Sequence, residues 1–279
     1  MTKRKRLINT KKLMKEGRGQ GLGSKYKPWL RIQDVPSLGR VSRIKGIRTE
    51  RQHEFLSDLE RNYFYILDYA DDVLDIREQY PLLPIEETQY IAKSLGVEHP
   101  KDPKTGEDIV MTTDFLITRK IKEGTIDVAR TIKPKSQLLD KRIIEKFEIE
   151  RIFWENQGIS WAIVTDEDID KTIAQNIMSF HSYYDIDNLE TLKSIGKDDL
   201  IDLECEYIRR IIHAQKSIRE YSSKFDKELG LQAGTGINIF MHLLATKKIR
   251  VDLTKQLKIG ETYEILYIEE YDLKEAQSI

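Results

Sequence analysis

One cysteine, Cys205, stands in 279 residues, so no internal disulfide can form and no Cys-rich zinc site can be assembled. Its solitude fits a reducing compartment, and the expectation is a cytoplasmic protein. Apolar runs are short: none approaches the ~18–20 residues that a membrane span needs. The basic N-terminus is not followed by the apolar stretch of a signal peptide, which argues against secretion. The five histidines, His53, His99, His181, His213 and His242, show neither zinc-ligand spacing nor an HNH-type cluster, and read as surface or core residues. The glycine-rich stretch from Gly17 to Gly23 lacks the Gly-Lys-Ser/Thr ending and the preceding strand of a P-loop, and is expected as a flexible segment. No internal repeat or low-complexity tract stands out.

What is present is charge. Charged residues make up 33% of the chain, and 46 Lys+Arg against 47 Asp+Glu leave a net charge of −1. That near-balance hides an asymmetry. Residues 1–48 carry 15 Lys/Arg and only Glu16 and Asp34 as acids, a charge of +13, against −14 for the remainder. A dense basic arm on an acidic body is the electrostatic footprint of contact with a phosphate backbone. Within it Trp29 could serve either for packing or for stacking on a base. At ~100–200 residues per domain the length suggests two domains.

From Arg51 to about Ala70, Phe55, Leu59, Tyr63, Ile66 and Leu67 recur at three- and four-residue steps and predict one helix. Val73–Tyr80 reads as a strand ended by Pro81 and Pro84, and a loop is expected over 99–108. Met111–Thr118 and Thr125–Ile132 form a predicted hairpin, and Ser136 to about Gln157 returns to helical spacing. Ile159–Val164 follows as a short strand. Thr165-Asp166-Glu167-Asp168 has the capping hydroxyl and acids of another helix start. The sequence order is that of an α/β layer arrangement. Beyond about 183, helices are expected around Leu189–Ile195, Leu200–Tyr221 and Ile237–Thr246, with β-like pieces at Ile249–Leu253 and Tyr263–Ile268. That pattern suggests a small helical or winged-helix module.

Hydrolysis of a phosphodiester needs a divalent metal held by carboxylates, a positive charge near the scissile phosphate and an oriented water. Glu60 on the first helix, Asp114 opening the second strand and Thr131-Ile132-Lys133 closing the third supply such groups. Alternation along a strand puts Thr131 and Lys133 on one face and Ile132 on the other. Taken singly, each has an ordinary structural reading as a solvated helix face, a turn residue or a strand end. The topology is what would make them converge. Asp127, six residues before Lys133, is too distant along the strand to join them.

Several segments resemble the TnsA family of transposition endonucleases, within the restriction-endonuclease-like nucleases. They are Gly17-Arg18-Gly19-Gln20-Gly21, Lys27-Pro28-Trp29-Leu30, Asp34-Val35-Pro36-Ser37, Leu56-Ser57-Asp58-Leu59-Glu60, Asp75 to Pro84, Thr113-Asp114-Phe115-Leu116 and Lys133-Pro134. They run in the family's order from residue 17 to about 165, and the likeness is diffuse beyond 170.

The resemblance implies a mixed-sheet nuclease core flanked by helices and a C-terminal, winged-helix-like domain. Expected boundaries are 1–48 for a basic DNA-contacting arm, 49–169 for the catalytic domain and 170–279 for a domain that contacts protein partners. The implied activity is Mg²⁺-dependent cleavage, with Mn²⁺ able to substitute, of the 5′-side strand at transposon ends. The implied metal ligands are Glu60, Asp114 and the backbone carbonyl of Ile132, with Lys133 as the active-site lysine. Thr131 stands where the family typically has Gln, and its hydroxyl is expected to reach a water at the metal. Implied partners are transposon-end DNA, a TnsB-type transposase and a TnsC-type AAA+ ATPase. Thr131 also motivates an alternative, a TnsA-like adaptor with an impaired site that bridges DNA, transposase and regulator. A stand-alone restriction or repair nuclease on the same core is a third reading.

Overall fold

The computed structural model describes residues 10–34, 40–103, 105–212 and 216–268. Outside them lie the first nine residues of the basic arm, Val35, Pro36 and Ser37 of one family-like segment, and His213. The chain divides into two compact units, Met1–Asp170 and Lys171–Ile279.

The first unit runs α1 (Thr10–Lys15), β1 (Ser42–Lys45), β2 (Gln52–Phe55), α2 (Asp58–Tyr69), β3 (Val73–Pro81), α3 (Ile85–Leu95), β4 (Thr112–Ile121), β5 (Gly124–Ile132), α4 (Lys141–Asn156) and β6 (Ser160–Val164). Its main sheet has the order β3-β4-β5-β6. β3, β4 and β5 are antiparallel neighbours, and β6 pairs parallel with β5. A parallel neighbour requires a crossover, which α4 provides. The result is a mixed sheet between helices. One face packs Phe115, Ile117, Val128 and Ile132 with Phe64 and Leu67 of α2. The other packs Leu116 and Ala129 with Ile91 and Ala92 of α3 and Ile149, Phe153 and Trp154 of α4.

Local chemistry explains where the helices begin. The Ser57 hydroxyl accepts the Glu60 N–H to cap α2, and the Asp140 carboxylate accepts from Arg142 and Ile143 to cap α4. The single helix expected from Arg51 is therefore two elements. Gln52–Phe55 alternates between exposed and buried positions and pairs with β1, and the helix starts only after Ser57. α3 was not visible in the punctuation around Pro81 and Pro84. Pro84 ends the preceding extended segment and stands at the N-cap of the next helix, where its missing N–H costs nothing. The helix expected at Thr165 starts later, at Lys171, because the Thr165 N–H and hydroxyl both bond the Asp168 carboxylate and close a turn.

The glycine-rich segment is also not loose. Gly19 has φ +73, donates its N–H to the Lys27 carbonyl, and sits so close to Pro81 that a Cβ would lie 2.3 Å from its Cγ. Gly21, at φ +94, leaves no room for a Cβ beside the Lys25 carbonyl. These glycines are needed for close approach. Leu13, Trp29 and Val110 form a small core that anchors the segment. Trp29 is thus a packing residue, 1% exposed, and is not available for stacking on a base.

The second unit is helical: α5 (Lys171–Phe180), α6 (Lys197–Ile211), α7 (Ile218–Glu228) and α8 (Thr235–Ala245), then β7 (Ile249–Arg250) paired antiparallel with β8 (Tyr267–Ile268). The stretch expected as one helix from Leu200 to Tyr221 is α6 and α7. Ser217 restarts the helix through a reciprocal capping box with Glu220. Residues 189–195 form turns. Among the described residues no helix is long and apolar enough to cross a membrane.

Candidate active site

The last residue pair of the β4–β5 ladder is Phe115 with Arg130. One residue further, Asp114 turns its carboxylate into the opening: Oδ2 accepts the Ile132 N–H at 2.7 Å, and Oδ1 accepts from Gln79 Nε2 at 3.2 Å. The alternation of faces breaks here. Thr113 accepts a bond from Trp154, a member of the same core as Leu116, although the two residues are an odd number of positions apart.

Glu60 comes to this opening from the first turn of α2. Its carboxylate accepts the Ser57 hydroxyl at 2.7 Å and the Leu56 N–H at 3.1 Å. The helix N-terminus favours a negative charge there. Lys133 follows β5, and its backbone N–H continues the parallel ladder to the Val164 carbonyl. Burial, and next the Asp114 carboxylate, push the Glu60 carboxyl up to about 7, while the Ser57 and Leu56 bonds and the Lys133 ammonium act against them. Burial also raises Asp114, against the Ile132 N–H, Lys133 and Gln79. Glu60, Asp114 and Lys133 are thus electrostatic neighbours.

Two buried carboxyls of raised proton affinity, Glu60 raised in part by Asp114, are short of positive charge even with Lys133 beside them. Among the described residues no three His, Cys, Asp or Glu side chains form a ready metal cage. A small hard cation does not require one, because it binds through one or two carboxylates with substrate and water oxygens completing its shell. The donor set of Glu60 and Asp114 fits such an ion.

Thr131 lies elsewhere. Its hydroxyl donates to Glu150 of α4 and accepts from Trp161 Nε1 at 3.2 Å. The expected common face of Thr131 and Lys133 ends with the strand at Ile132: Thr131 binds the α4 layer, whereas Lys133 acts on Glu60 and Asp114. Ile132 itself packs in the α2-side core. Asp127 is held by Arg77 and Thr118, both through its Oδ1.

Sequence reasoning missed two residues. Glu150 is buried and accepts the Thr113 hydroxyl at 2.6 Å as well as that of Thr131, so it clasps the residues flanking Asp114 and Ile132. Burial is the largest influence on its carboxyl, which is pushed up to about 7, with Asp114 adding to the rise and the two threonines opposing it. The available signal was an acid three residues after Phe147 and four before Trp154, on a helix's apolar stripe. Gln79, the partner of Asp114, was marked only by its place in a strand and within the family-like segment Asp75 to Pro84.

A mixed sheet between helix layers, with acids from a helix N-terminus and a strand facing a lysine at the next strand's end, is the layout of a restriction-endonuclease-like nuclease. The chain belongs to the TnsA family. Residues 70–166 match the family model "TnsA-like endonuclease N terminal", and residues 168–253 match "TnsA endonuclease C terminal". The first match takes in Asp114, Thr131, Lys133 and Glu150, while Glu60 precedes it. The chain is similar to the Tn7 transposition protein TnsA of Escherichia coli, 46% identical over 170 residues, which cover 61% of this chain and 60% of that protein.

Proposed function

We propose that this protein is the endonuclease subunit of a transposase and hydrolyses a phosphodiester on the 5′-side strand at transposon ends. The observation that carries the reading is the meeting of Glu60, Asp114 and Lys133 at the opened end of β4 and β5. Family membership supports the same class of activity.

Glu60 and Asp114 would hold a divalent cation, Mg²⁺ with Mn²⁺ as substitute, and the Ile132 carbonyl would add a neutral oxygen beside them. When bound, that cation supplies Lewis-acid charge at the phosphate and makes water a better nucleophile. The chain's own residues orient the reaction. The Ile132 N–H and the Gln79 amide fix the Asp114 carboxylate, and Ser57 and the Leu56 N–H fix Glu60. Lys133 brings a full positive charge toward the non-bridging oxygens, where charge accumulates as water attacks and the P–O bond breaks.

The exposed Lys25, Lys27, Arg43 and Lys45 of the basic arm supply sequence-independent phosphate contacts. By family resemblance, a TnsB-type transposase would act on the 3′ side. The second unit, read as winged-helix-like, would meet that transposase and a TnsC-type AAA+ ATPase.

A second reading, the impaired adaptor, is favoured by one observation: the Thr131 hydroxyl is committed to Glu150. Both are tested by strand-specific cleavage of a labelled transposon-end duplex in Mg²⁺ or Mn²⁺, with and without the neighbouring transposase. Partner-dependent 5′-strand nicking that is lost in Asp114→Ala establishes the endonuclease. Intact binding to DNA and partner with no nicking in any condition establishes the adaptor.

A further inference from the structure

Gln79 adopts a left-handed backbone conformation, φ +49, inside a strand and at 3% exposure. Glycine occupies such a conformation without steric cost, and a long-chain residue does not. A glutamine in that conformation points to a task for its side chain. The residue lies opposite Asp114, between the pairs Glu78 with Phe115 and Tyr80 with Thr113.

All three of its polar groups bar the N–H are engaged on named partners. Nε2 donates to Asp114 Oδ1 at 3.2 Å, Oε1 accepts the Thr112 hydroxyl at 3.3 Å, and the carbonyl accepts the Trp29 N–H at 3.1 Å. The Thr112 bond orients the amide so that its NH₂ faces the carboxylate. The backbone is clamped on both sides of the kink. Glu78 is bound by Arg51 and His53, and Pro81 packs against Gly19. Trp29, which grips the Gln79 carbonyl, is itself held through its own carbonyl by Arg18.

We propose that Gln79 is a positioning residue: its kinked backbone aims the side-chain amide at Asp114 and fixes the carboxylate in the orientation that receives the divalent cation. This rests on the reading of Asp114 as a metal-binding carboxylate. Partners that orient a ligating carboxylate characteristically change metal affinity when removed, without touching the metal.

The test uses the full chain and two substitutions. Gln79→Asn keeps a residue that tolerates the left-handed region but shortens the amide by one methylene. Gln79→Gly relieves the backbone and removes the amide altogether. Mn²⁺ binding is followed by electron paramagnetic resonance, and the Mg²⁺ concentration for half-maximal cleavage is measured beside it. Both variants are expected to melt no lower than the wild type by more than a few degrees, to bind Mn²⁺ about 10- to 100-fold more weakly, and to need correspondingly more Mg²⁺. Wild-type Mn²⁺ affinity and Mg²⁺ dependence in both, with binding lost in Asp114→Ala, would overturn the role of Gln79 alone. Wild-type Mn²⁺ binding in Asp114→Ala would instead overturn the assignment of Asp114, and this proposal with it.

Discussion

The backbone N–H of Ile132 donates to the carboxylate of Asp114 at 2.7 Å, one residue beyond the last β4–β5 pair on β4 and two beyond it on β5. A side chain thus takes the donor that a further strand residue would have used. That opening admits Glu60 from α2 and Lys133 from the strand end, and the Asp114 carboxylate adds to the rise in proton affinity of the buried Glu60.

Neutralising either acid should therefore separate activity from stability. Glu60→Gln and Asp114→Asn are expected to lower 5′-strand cleavage by at least about 10²-fold. In metal-free protein, Glu60→Gln should raise stability by about 1 kcal/mol, because the penalty of a buried like-charge pair disappears. Cleavage assays and chemical denaturation of the same preparations check both signs.

Glu150 sets a pH dependence. Its carboxyl is near 4.5 in the unfolded chain and raised to about 7 in the fold, so the folded state holds the proton more tightly. The stability it contributes is full below about pH 4.5 and is lost as pH rises through 7. Melting temperatures of the metal-free protein should fall over that window, and the fall should be shallower in Glu150→Gln. An identical slope in the variant would refute the assignment.

Thr131→Val keeps the shape of the side chain while taking one donor from Glu150 and the acceptor from Trp161. Each buried group left without a partner costs roughly 1–3 kcal/mol. Denaturant titration should show a loss in this range, and Thr131→Ser should recover most of it.

Gly19→Ala should destabilise the first unit by about 1–3 kcal/mol, since φ is +73 and the added Cβ would overlap Pro81. Gly23→Ala, at φ +53 with nothing within 4 Å, should cost less. Thermal denaturation of the two side by side distinguishes close approach from backbone strain alone.

Replacing Lys25, Lys27, Arg43 and Lys45 with Ala should weaken DNA binding uniformly across sequences. Each lost phosphate contact is expected to reduce the slope of log affinity against log salt by about 1. Binding titrations at several salt concentrations provide the measurement.

The sequence by itself determined the hairpin of the sheet and two ends of the site, but not α3, the division of the run from Arg51 into β2 and α2, or the break between α6 and α7. Period-two runs over 111–118 and 125–132 specify a hairpin, and their spacing puts Asp114 near Lys133. The helical steps of Leu59, Tyr63, Ile66 and Leu67 imply a layer against that sheet, with Glu60 on the same helix. These are properties of short stretches, carried by side-chain periodicity and by capping groups a few residues away. The tertiary structure alone decided that Glu150 clasps Thr113 and Thr131, that Gln79 reaches Asp114 across 35 positions, and that Thr131 turns toward α4. Each of these is a hydrogen bond between elements far apart in the chain. Which polar groups meet there depends on how layers pack and where a ladder opens, and no local pattern of residues encodes that.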